Sequence, residues 1–392
     1  MKQEFSIEAV IKAVKLVVKC DQAVPLHEPC FQGNEWTYLK DCLDSGWVSS
    51  VGQYVDRFEK MLSEYTGAAC AVAAVNGTAA LHICLLMAGV TNGDEVLVPD
   101  LTFIATANAV SYCGAIPHLL DSEEKTLGID PARLYDYLRD IAVIRSGKCI
   151  NRHTGRRIKA VVPMHTFGHP VDMDPLLETA ARYKLTLVED AAESLGSLYK
   201  GRHTGTMGAM GVLSFNGNKT ITTGGGGAIL TSDQHLGRLA KHLTTTAKKP
   251  HRWAFNHDMV GYNYRMPNIN AALGCAQMEQ LPGFIKKKRN LAHLYQEEFA
   301  EVSGIKCFKE PEFACSNYWL NVLLLSTKYS GKRDELLDAL NRAGFMSRPA
   351  WTLLHRLPMY QNCPCMELTI AEGLEQRLIN IPSSSNLEDV YE

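Results

Sequence analysis

Between about residues 70 and 230, short apolar runs alternate with segments of helical period, and this alternation constrains the fold more than any other feature. Such alternation is typical of a mostly parallel sheet covered by helices on both faces. The predicted strands are 71–75, 95–99, 117–120, 159–164, 185–189, 212–215 and 228–231. The predicted crossover helices are 77–89, 102–114 and 173–183. The sequence therefore predicts an α/β fold with a seven-stranded main sheet.

The pattern changes after residue 270, where longer helices dominate. Helices are predicted at 270–280, 284–302 and 334–343, with a strand at 319–325. A chain of 392 residues exceeds the length of about 250 to 300 residues at which a single core stops growing. We therefore expect a helical segment at 1–27, a large domain at 28–270 and a smaller α+β domain at 271–392. The polar stretch 140–157 is predicted to be an exposed excursion.

Composition excludes several classes of function. The 40 basic and 42 acidic side chains nearly cancel, so we expect neither a nucleic-acid nor a membrane partner. Lysines interrupt the apolar amino terminus, which favours an amphipathic helix over a signal peptide. The uncharged stretch 67–93 contains an Asn-Gly-Thr turn and fits strand, turn and helix better than a membrane span. The twelve cysteines are scattered and lack the spacing of zinc sites, which predicts reduced thiols, no metal and a cytoplasmic protein.

Ligands of open α/β sheets bind beyond the carboxyl ends of the strands, so residues that follow predicted strands are the candidates for a site. Gly77 and Thr78 open a helix whose free N–H groups favour a phosphate, although an ordinary capped turn is the alternative. Phe103 follows the second strand and could stack on a cofactor ring or belong to the core. Asp190 could keep the pyridine nitrogen of a cofactor protonated, or form a capping box with Glu193.

Lys219 lies in a small polar loop after the strand 212–215. Such a loop beside an apolar sheet can desolvate a lysine, so that its neutral amine attacks a carbonyl, whereas most lysines are solvated surface charges. Asn218 replaces the glycine that precedes the lysine of a Walker loop, and the glycine run 224–227 lacks the dinucleotide-binding order. The residues at these strand ends together predict a pyridoxal-phosphate site.

Motifs at 76–81, 102–106, 189–193, 214–219 and 261–267 together resemble the DegT/DnrJ type of sugar aminotransferase. The resemblance spans about residues 25–382 and implies a fold type I pyridoxal-phosphate transferase, similar to aspartate aminotransferase, that forms a homodimer with shared active sites. It implies that Lys219 is the Schiff-base lysine, that Asp190 contacts the pyridine nitrogen and that Phe103 stacks on the ring. The other implied cofactor contacts are Gly77, Thr78, Glu193 near the phenolic oxygen, Ser214, Asn216 and, from the second subunit, Asn263.

Finer features at 46–52, 193–197 and 242–248 resemble the branch that serves legionaminic acid and bacillosamine-type sugars of surface glycans. This branch implies L-glutamate as donor and amination at C4 of a UDP-linked 2-acetamido-2,6-dideoxy-4-ketohexose. Amination at C3, a GDP- or dTDP-linked sugar, and a non-enzymatic sugar-nucleotide sensor are the alternatives. The candidate substrate contacts are Trp47, His165, Lys248, Arg252, Arg265, Arg348 and His355.

Overall fold

The computed structural model describes residues 5–20 and 22–387. Its strands are β1 (Cys70–Ala74), β2 (Glu95–Pro99), β3 (Ile116–Leu120), β4 (Ala142–Arg145), β5 (Lys148–Asn151), β6 (Arg157–Val161), β7 (Thr186–Asp190), β8 (Leu198–Tyr199), β9 (Arg202–His203), β10 (Met210–Ser214), β11 (Gly227–Thr231), β12 (Ile305–Cys307), β13 (Ala314–Cys315), β14 (Asn321–Leu325), β15 (Arg348–Pro349) and β16 (Leu378–Ile381). Its α-helices are α1 (Ile7–Val18), α2 (Glu35–Ser45), α3 (Gln53–Thr66), α4 (Gly77–Met87), α5 (Ala105–Tyr112), α6 (Pro131–Ile141), α7 (Met173–Arg182), α8 (Gln234–Thr244), α9 (Asn268–Phe299), α10 (Arg333–Arg342) and α11 (Thr369–Glu375).

The main sheet has the strand order β1-β11-β10-β7-β6-β2-β3, which contains all seven predicted strands. Strands β10, β7, β6, β2 and β3 pair in parallel, and β11 runs antiparallel to its neighbours β1 and β10. The α/β architecture is therefore confirmed. The carboxyl ends of the parallel strands meet along one edge, where ligands of such sheets bind.

The sequence predicted that the stretch 140–157 is an exposed excursion, but the structure keeps this stretch on the main sheet. It forms the hairpin β4–β5, and β5 pairs antiparallel with β6, so the hairpin enlarges the main sheet to nine strands. Its exposure was predicted correctly, since 144–148 and 152–156 are exposed, but the two short strands were missed because polar turn residues separate them. Asn151, at the end of β5, is only 2% exposed.

Three other predicted boundaries differ because local hydrogen bonding changes. The strand predicted at 159–164 ends at Val161, shortly before Pro163, which has no N–H to continue the ladder. The strand predicted at 319–325 begins at Asn321, because the N–H of Trp319 donates to the Asn317 side chain instead. The helix predicted at 102–114 is limited to α5, and Gly114 has a φ of 69° just beyond it.

The two helices predicted at 270–280 and 284–302 form one continuous helix, α9, of 32 residues. Pro282 lies inside it and removes one backbone hydrogen bond, which usually breaks or bends a helix. Here the helix continues because it packs against α2 and α3 and also against α1. Tertiary packing therefore overrides the break that Pro282 and Gly283 predict.

Helix α1 begins after Ser6, whose hydroxyl accepts a hydrogen bond from the N–H of Ala9 at 3.1 Å. Its apolar face, including Val10 and Val14, shares a core with Leu291 of α9 and Leu323 of β14. Strands β12, β14, β16 and β15 form the antiparallel sheet of this region. The domain limits given above stay a prediction. Within residues 5–20 and 22–387, no helix has both the length and the apolar character of a membrane span.

Candidate active site

A cavity of about 240 Å³ lies at the carboxyl ends of the parallel strands. Its walls come from the β1–α4 turn, the end of β7, the loop between β10 and β11, and two tryptophans of the C-terminal region. The predicted cofactor contacts that line it are Gly77, Thr78, Phe103, Asp190, Glu193, Ser214, Asn216 and Lys219. The fold therefore brings together residues that are separated by more than 140 positions in the sequence.

The β1–α4 turn forms a cradle suited to an anion. Asn76 caps α4, because its Oδ1 accepts a hydrogen bond from the N–H of Ala79 at 2.7 Å. Thr78 is therefore not the cap, and with Gly77 it faces the cavity at the positive end of the helix. A Cβ at Gly77 would lie 3.1 Å from the Cβ of Ser214, and a Cβ at Gly227 would lie 2.6 Å from the Gly77 nitrogen. Glycine at both positions allows these segments to approach closely, where any side chain would crowd its neighbours.

Asp190 lies at the end of β7 and is 7% exposed. Its Oδ2 accepts a hydrogen bond from the hydroxyl of Thr106 at 2.8 Å, and its Oδ1 accepts one from the N–H of Ala192 at 3.2 Å. Burial raises the pKa of Asp190 above its ordinary value, although both hydrogen bonds oppose this shift. The segment after Asp190 forms turns rather than a helix, so the capping-box alternative is wrong.

The amine of Lys219 lies between a carboxylate and an aromatic ring. Its Nζ is 3.2 Å from Oε1 of Glu193 and 3.9 Å from the ring centroid of Trp319. The other carboxylate oxygen of Glu193 accepts a hydrogen bond from the N–H of Phe167 at 2.9 Å. Burial raises the pKa of Glu193 to about 7, although the charge of Lys219 partly opposes this shift. A buried amine and a carboxyl that titrates near neutrality are suited to proton transfer.

The cavity residues fit pyridoxal phosphate by the chemistry of their side chains. The Gly77 cradle accommodates the phosphate, Phe103 offers a half-exposed aromatic face, Asp190 a buried carboxylate and Lys219 an amine. These four features match the four parts of the cofactor: its phosphate, its ring face, its ring nitrogen and its aldehyde.

One predicted substrate contact, His165, is wrong for a physical reason, and a second, His355, lies outside the cavity and stays a prediction. His165 is fully buried, with Nε2 at 3.1 Å from Glu189 and Nδ1 accepting a hydrogen bond from the N–H of Val171. Both ring nitrogens are therefore engaged away from the cavity. His355 lies with its Nδ1 at 2.6 Å from Oδ2 of Asp100, and this pair links the C-terminal region to the end of β2.

The other predicted contacts lie outside the cavity of this chain and stay predictions. Trp47 is 58% exposed and lies beside Asn268, to which its carbonyl is hydrogen-bonded. Lys248 lies with its Nζ at 3.8 Å from the ring centroid of Phe255. The remaining members of this group are Arg252, Asn263 and Arg348, which are exposed, and Arg265, which is partly buried and pairs with Ala74.

Among the site residues that were not identified from the sequence, Thr106, Trp319 and Trp351 contact predicted ones. Thr106 lies in the motif 102–106, one helical turn after Thr102, and this position near the strand ends could have indicated it. Trp319 and Trp351 both line the cavity from the C-terminal region, and Trp351 stacks on Phe167 with ring centroids 4.9 Å apart. Nothing local in the sequence marks these tryptophans, because they reach the cavity only through the packing of distant segments.

Residues 29–390 match the profile of the DegT/DnrJ/EryC1/StrS aminotransferase family. The chain is 38% identical to the GDP-perosamine synthase of Escherichia coli O157:H7, over 93% of this chain and 94% of that protein. It is 37% identical to the GDP-perosamine synthase of Caulobacter vibrioides, over 92% and 93% of the two chains. The crystal structure of the aminotransferase TlmJ from Streptoalloteichus hindustanus is similar, with a TM-score of 0.83, 26% identity, and coverage of 92% of this chain and 93% of that one.

Proposed function

Because the chain belongs to the DegT/DnrJ/EryC1/StrS aminotransferase family and is a pyridoxal-phosphate-dependent sugar aminotransferase, we propose that it aminates C4 of a GDP-linked keto-sugar with L-glutamate as donor. The observation that carries this choice is the similarity to GDP-perosamine synthases over more than nine tenths of the chain. It favours GDP over the UDP-linked sugar expected from the sequence. The UDP-linked 2-acetamido-2,6-dideoxy-4-ketohexose and C3 amination are therefore the rivals.

When bound, pyridoxal phosphate supplies an aldehyde and an electron-withdrawing ring that stabilises negative charge at a substrate carbon. In the proposed arrangement Gly77, Thr78 and Ser214 hold its phosphate, and Phe103 covers one ring face. Asp190 faces the ring nitrogen, and a positive charge there would favour the ionised form of this buried carboxyl. The hydroxyl of Thr106 orients the Asp190 carboxylate through its hydrogen bond of 2.8 Å.

Lys219 acts as the general acid and base in both halves of the proposed reaction. Its side chain is 13% exposed, so the amine lies largely out of bulk water. Its free amine would take the proton from the donor Cα and release it again within the cavity, and in the second half it would deliver a proton to the sugar carbon that accepts nitrogen. One fixed amine can serve both steps because both reacting carbons are brought to the same place.

The proposal includes a homodimer with shared active sites. The segment 248–260 carries three highly exposed apolar side chains, Trp253, Phe255 and Val260, at 74%, 77% and 80% exposure. Apolar groups concentrated in one exposed segment are typical of protein interfaces. A second copy would cover them and bring Asn263 toward the partner cavity. Sedimentation equilibrium would give twice the chain mass, and a monomer with full activity would contradict this part of the proposal.

The substrate is tested by incubating the loaded enzyme with glutamate carrying heavy nitrogen and a matched panel of sugars. The panel contains GDP-, UDP- and dTDP-linked 4-keto and 3-keto sugars. We expect heavy nitrogen to enter the GDP-linked 4-keto sugar with the highest kcat/KM, and NMR of the product to place it on C4. Preferential transfer to a UDP-linked sugar, or to C3, would contradict the proposed substrate.

The non-enzymatic sensor considered from the sequence is wrong, because the chain is a pyridoxal-phosphate-dependent aminotransferase.

A further inference from the structure

Trp319 lies directly beneath the amine of Lys219, although it comes from a distant part of the chain. The Nζ of Lys219 is 3.9 Å from the centroid of the Trp319 ring, and Glu193 Oε1 is 3.2 Å from the same nitrogen. The face of an indole ring attracts an ammonium group, and the attraction grows when water is excluded. The carboxylate and the ring therefore form two sides of a seat for the charged form of this amine.

The indole of Trp319 also holds the loop that carries the lysine. Its Nε1–H donates a hydrogen bond to the backbone carbonyl of Asn218 at 2.6 Å. Asn216 and Asn218 are exposed, so the loop is open to solvent on one side. The tryptophan thus contacts Lys219 in two ways, through its ring face and through the peptide that precedes the lysine.

Trp319 is fixed in place by buried polar side chains. Its N–H donates to Oδ1 of Asn317 at 2.8 Å, and its carbonyl accepts a hydrogen bond from Nζ of Lys288 at 3.1 Å. The side-chain amide of Asn317 also donates to the backbone carbonyl of Glu193 at 2.9 Å. Asn317 is fully buried and Lys288 is 1% exposed. The same clamp therefore sets the positions of both sides of the seat.

We propose that Trp319 is a positioning residue for Lys219, which holds the released amine as an ammonium group against Glu193 and keeps the Lys219 loop in register with the cavity. The inference rests on the aminotransferase activity and is independent of which sugar is the acceptor. A lysine that has just accepted a proton stays in this seat until the proton is returned. These contacts limit the conformations that the flexible Lys219 side chain samples before it reaches its productive position.

The test uses the cofactor-free protein, in which the amine of Lys219 is not occupied by the cofactor. A short pulse of acetic anhydride acetylates accessible uncharged amines, and mass spectrometry gives the acetylated fraction at Lys219. Lys60, whose side chain is 74% exposed, is the internal reference. The Trp319→Leu variant removes the ring and the indole donor, and Trp319→Phe keeps an aromatic face but loses the donor.

We expect acetylation of Lys219, relative to Lys60, to rise about 5- to 30-fold in Trp319→Leu, as the strength of a partly desolvated cation–π contact implies. Trp319→Phe should give a smaller rise. Trp351→Leu is the matched control, because Trp351 lines the same cavity without lying under the amine. In this variant the acetylation of Lys219 should stay within about twofold of that in the unmodified protein, since no cation–π contact is lost.

Two results would overturn the proposal. One is unchanged Lys219 acetylation in Trp319→Leu, and the other is an equal rise in Trp351→Leu, which would mean that any opening of the cavity exposes the lysine. A second measurement uses the loaded enzyme and the glutamate half-reaction alone. We expect Trp319→Phe, which retains a large ring for folding, to lower the maximal rate of absorbance loss while the glutamate concentration at half-maximal rate changes little. The reverse split would mean that Trp319 binds glutamate instead.

Discussion

The two ends of the main sheet each bury a carboxylate, but they treat it in opposite ways. At the amino ends of the strands, Glu95 is fully buried and accepts hydrogen bonds from Asn151 at 2.9 Å and Thr154 at 2.6 Å. Its Oε2 is also 2.9 Å from Nδ1 of His118. Burial alone would raise the pKa of Glu95, but these hydrogen bonds outweigh it and lower the pKa.

At the carboxyl ends of the strands, Glu193 is almost as buried as Glu95 but accepts fewer hydrogen bonds. It has one backbone donor, Phe167, and one cation, Lys219, and its pKa rises to about 7 because burial prevails. The comparison shows that burial does not separate a structural carboxylate from a functional one. What separates them is the number of hydrogen-bond donors that the fold directs at the carboxylate, because a fully hydrogen-bonded carboxylate has no capacity left for chemistry.

The largest expected effect tests the cavity end. Lys219→Ala should lower kcat by about 10⁴-fold or more, because it removes both the cofactor's covalent anchor and the general acid–base. Steady-state turnover of glutamate and the preferred sugar measures this. Lys200→Ala, an exposed lysine, is the control and should be unaffected. A Lys219→Ala enzyme that works at the unmodified rate would contradict the assignment.

Asp190→Asn should lower kcat on the order of 100-fold, because an amide cannot support a positive charge on the cofactor ring nitrogen. The cofactor should still bind through the Gly77 cradle, which visible absorbance at saturating cofactor would show. Thr106→Val is a milder change that loses only the hydrogen bond to Asp190, and its effect should be smaller. If Asp190→Asn retains normal turnover, the carboxylate does not act on the cofactor.

Glu95→Ala should reduce the free energy of unfolding by about 3 to 4 kcal/mol, because buried His118 and Asn151 lose their shared acceptor. Its kcat should stay within about twofold, since the two ends of the sheet are distant. The folded-state pKa of Glu95 is lowered, so its contribution is present above the unfolded pKa and is lost as pH falls through the folded pKa. Urea unfolding should therefore show that the free energies of unfolding of the unmodified protein and of Glu95→Ala differ less at pH 3 than at pH 7. Equal differences would mean that its ionisation does not stabilise the fold.

The smallest effect concerns Glu193 in the cofactor-free protein. Its raised pKa of about 7 means that the folded state binds the proton more tightly than the unfolded state, so stability falls as pH rises from about 5 to 8. This contribution is on the order of 2 to 3 kcal/mol and is absent in Glu193→Gln. The unfolding midpoints at pH 5 and pH 8 should lie farther apart in the unmodified protein than in the variant, because only the unmodified protein loses this contribution over the range. Parallel pH profiles would show that Glu193 does not titrate there.

The main sheet could be predicted because its strands are short apolar runs bounded by glycine, proline and asparagine. The fold type I pyridoxal-phosphate architecture implied by the resemblance is confirmed. Asp190 and Lys219 were accessible to sequence reasoning because Asp190 ends a strand and Lys219 lies in the loop after one, where the fold places the site. Their convergence on one cavity follows from the parallel topology alone.

Features set by distant packing could not be predicted. Pro282 predicted a break that the packing of α9 against three other helices prevents. His165 and His355 were candidates for substrate contacts, because the sequence gives no sign that Glu189 and Asp100 lie within hydrogen-bonding distance of them. The GDP-linked sugar proposed from the relatives was also not apparent, since no residue type recognises one nucleotide in every context.

The close contact between Gly227 and the turn at Gly77 has a consequence for how proteins of this kind diverge. An added Cβ at Gly227 would meet the backbone of Asn76 at 2.5 Å, so substitutions on either strand must be accompanied by changes on the other. We expect random mutagenesis to recover few functional variants at these glycines. Altered acceptor preference should arise instead at Trp351, which reaches the cavity from a loop and can change without opening the sheet. We therefore expect the part of the pocket formed by the main sheet to tolerate fewer substitutions than the part formed by the C-terminal loops.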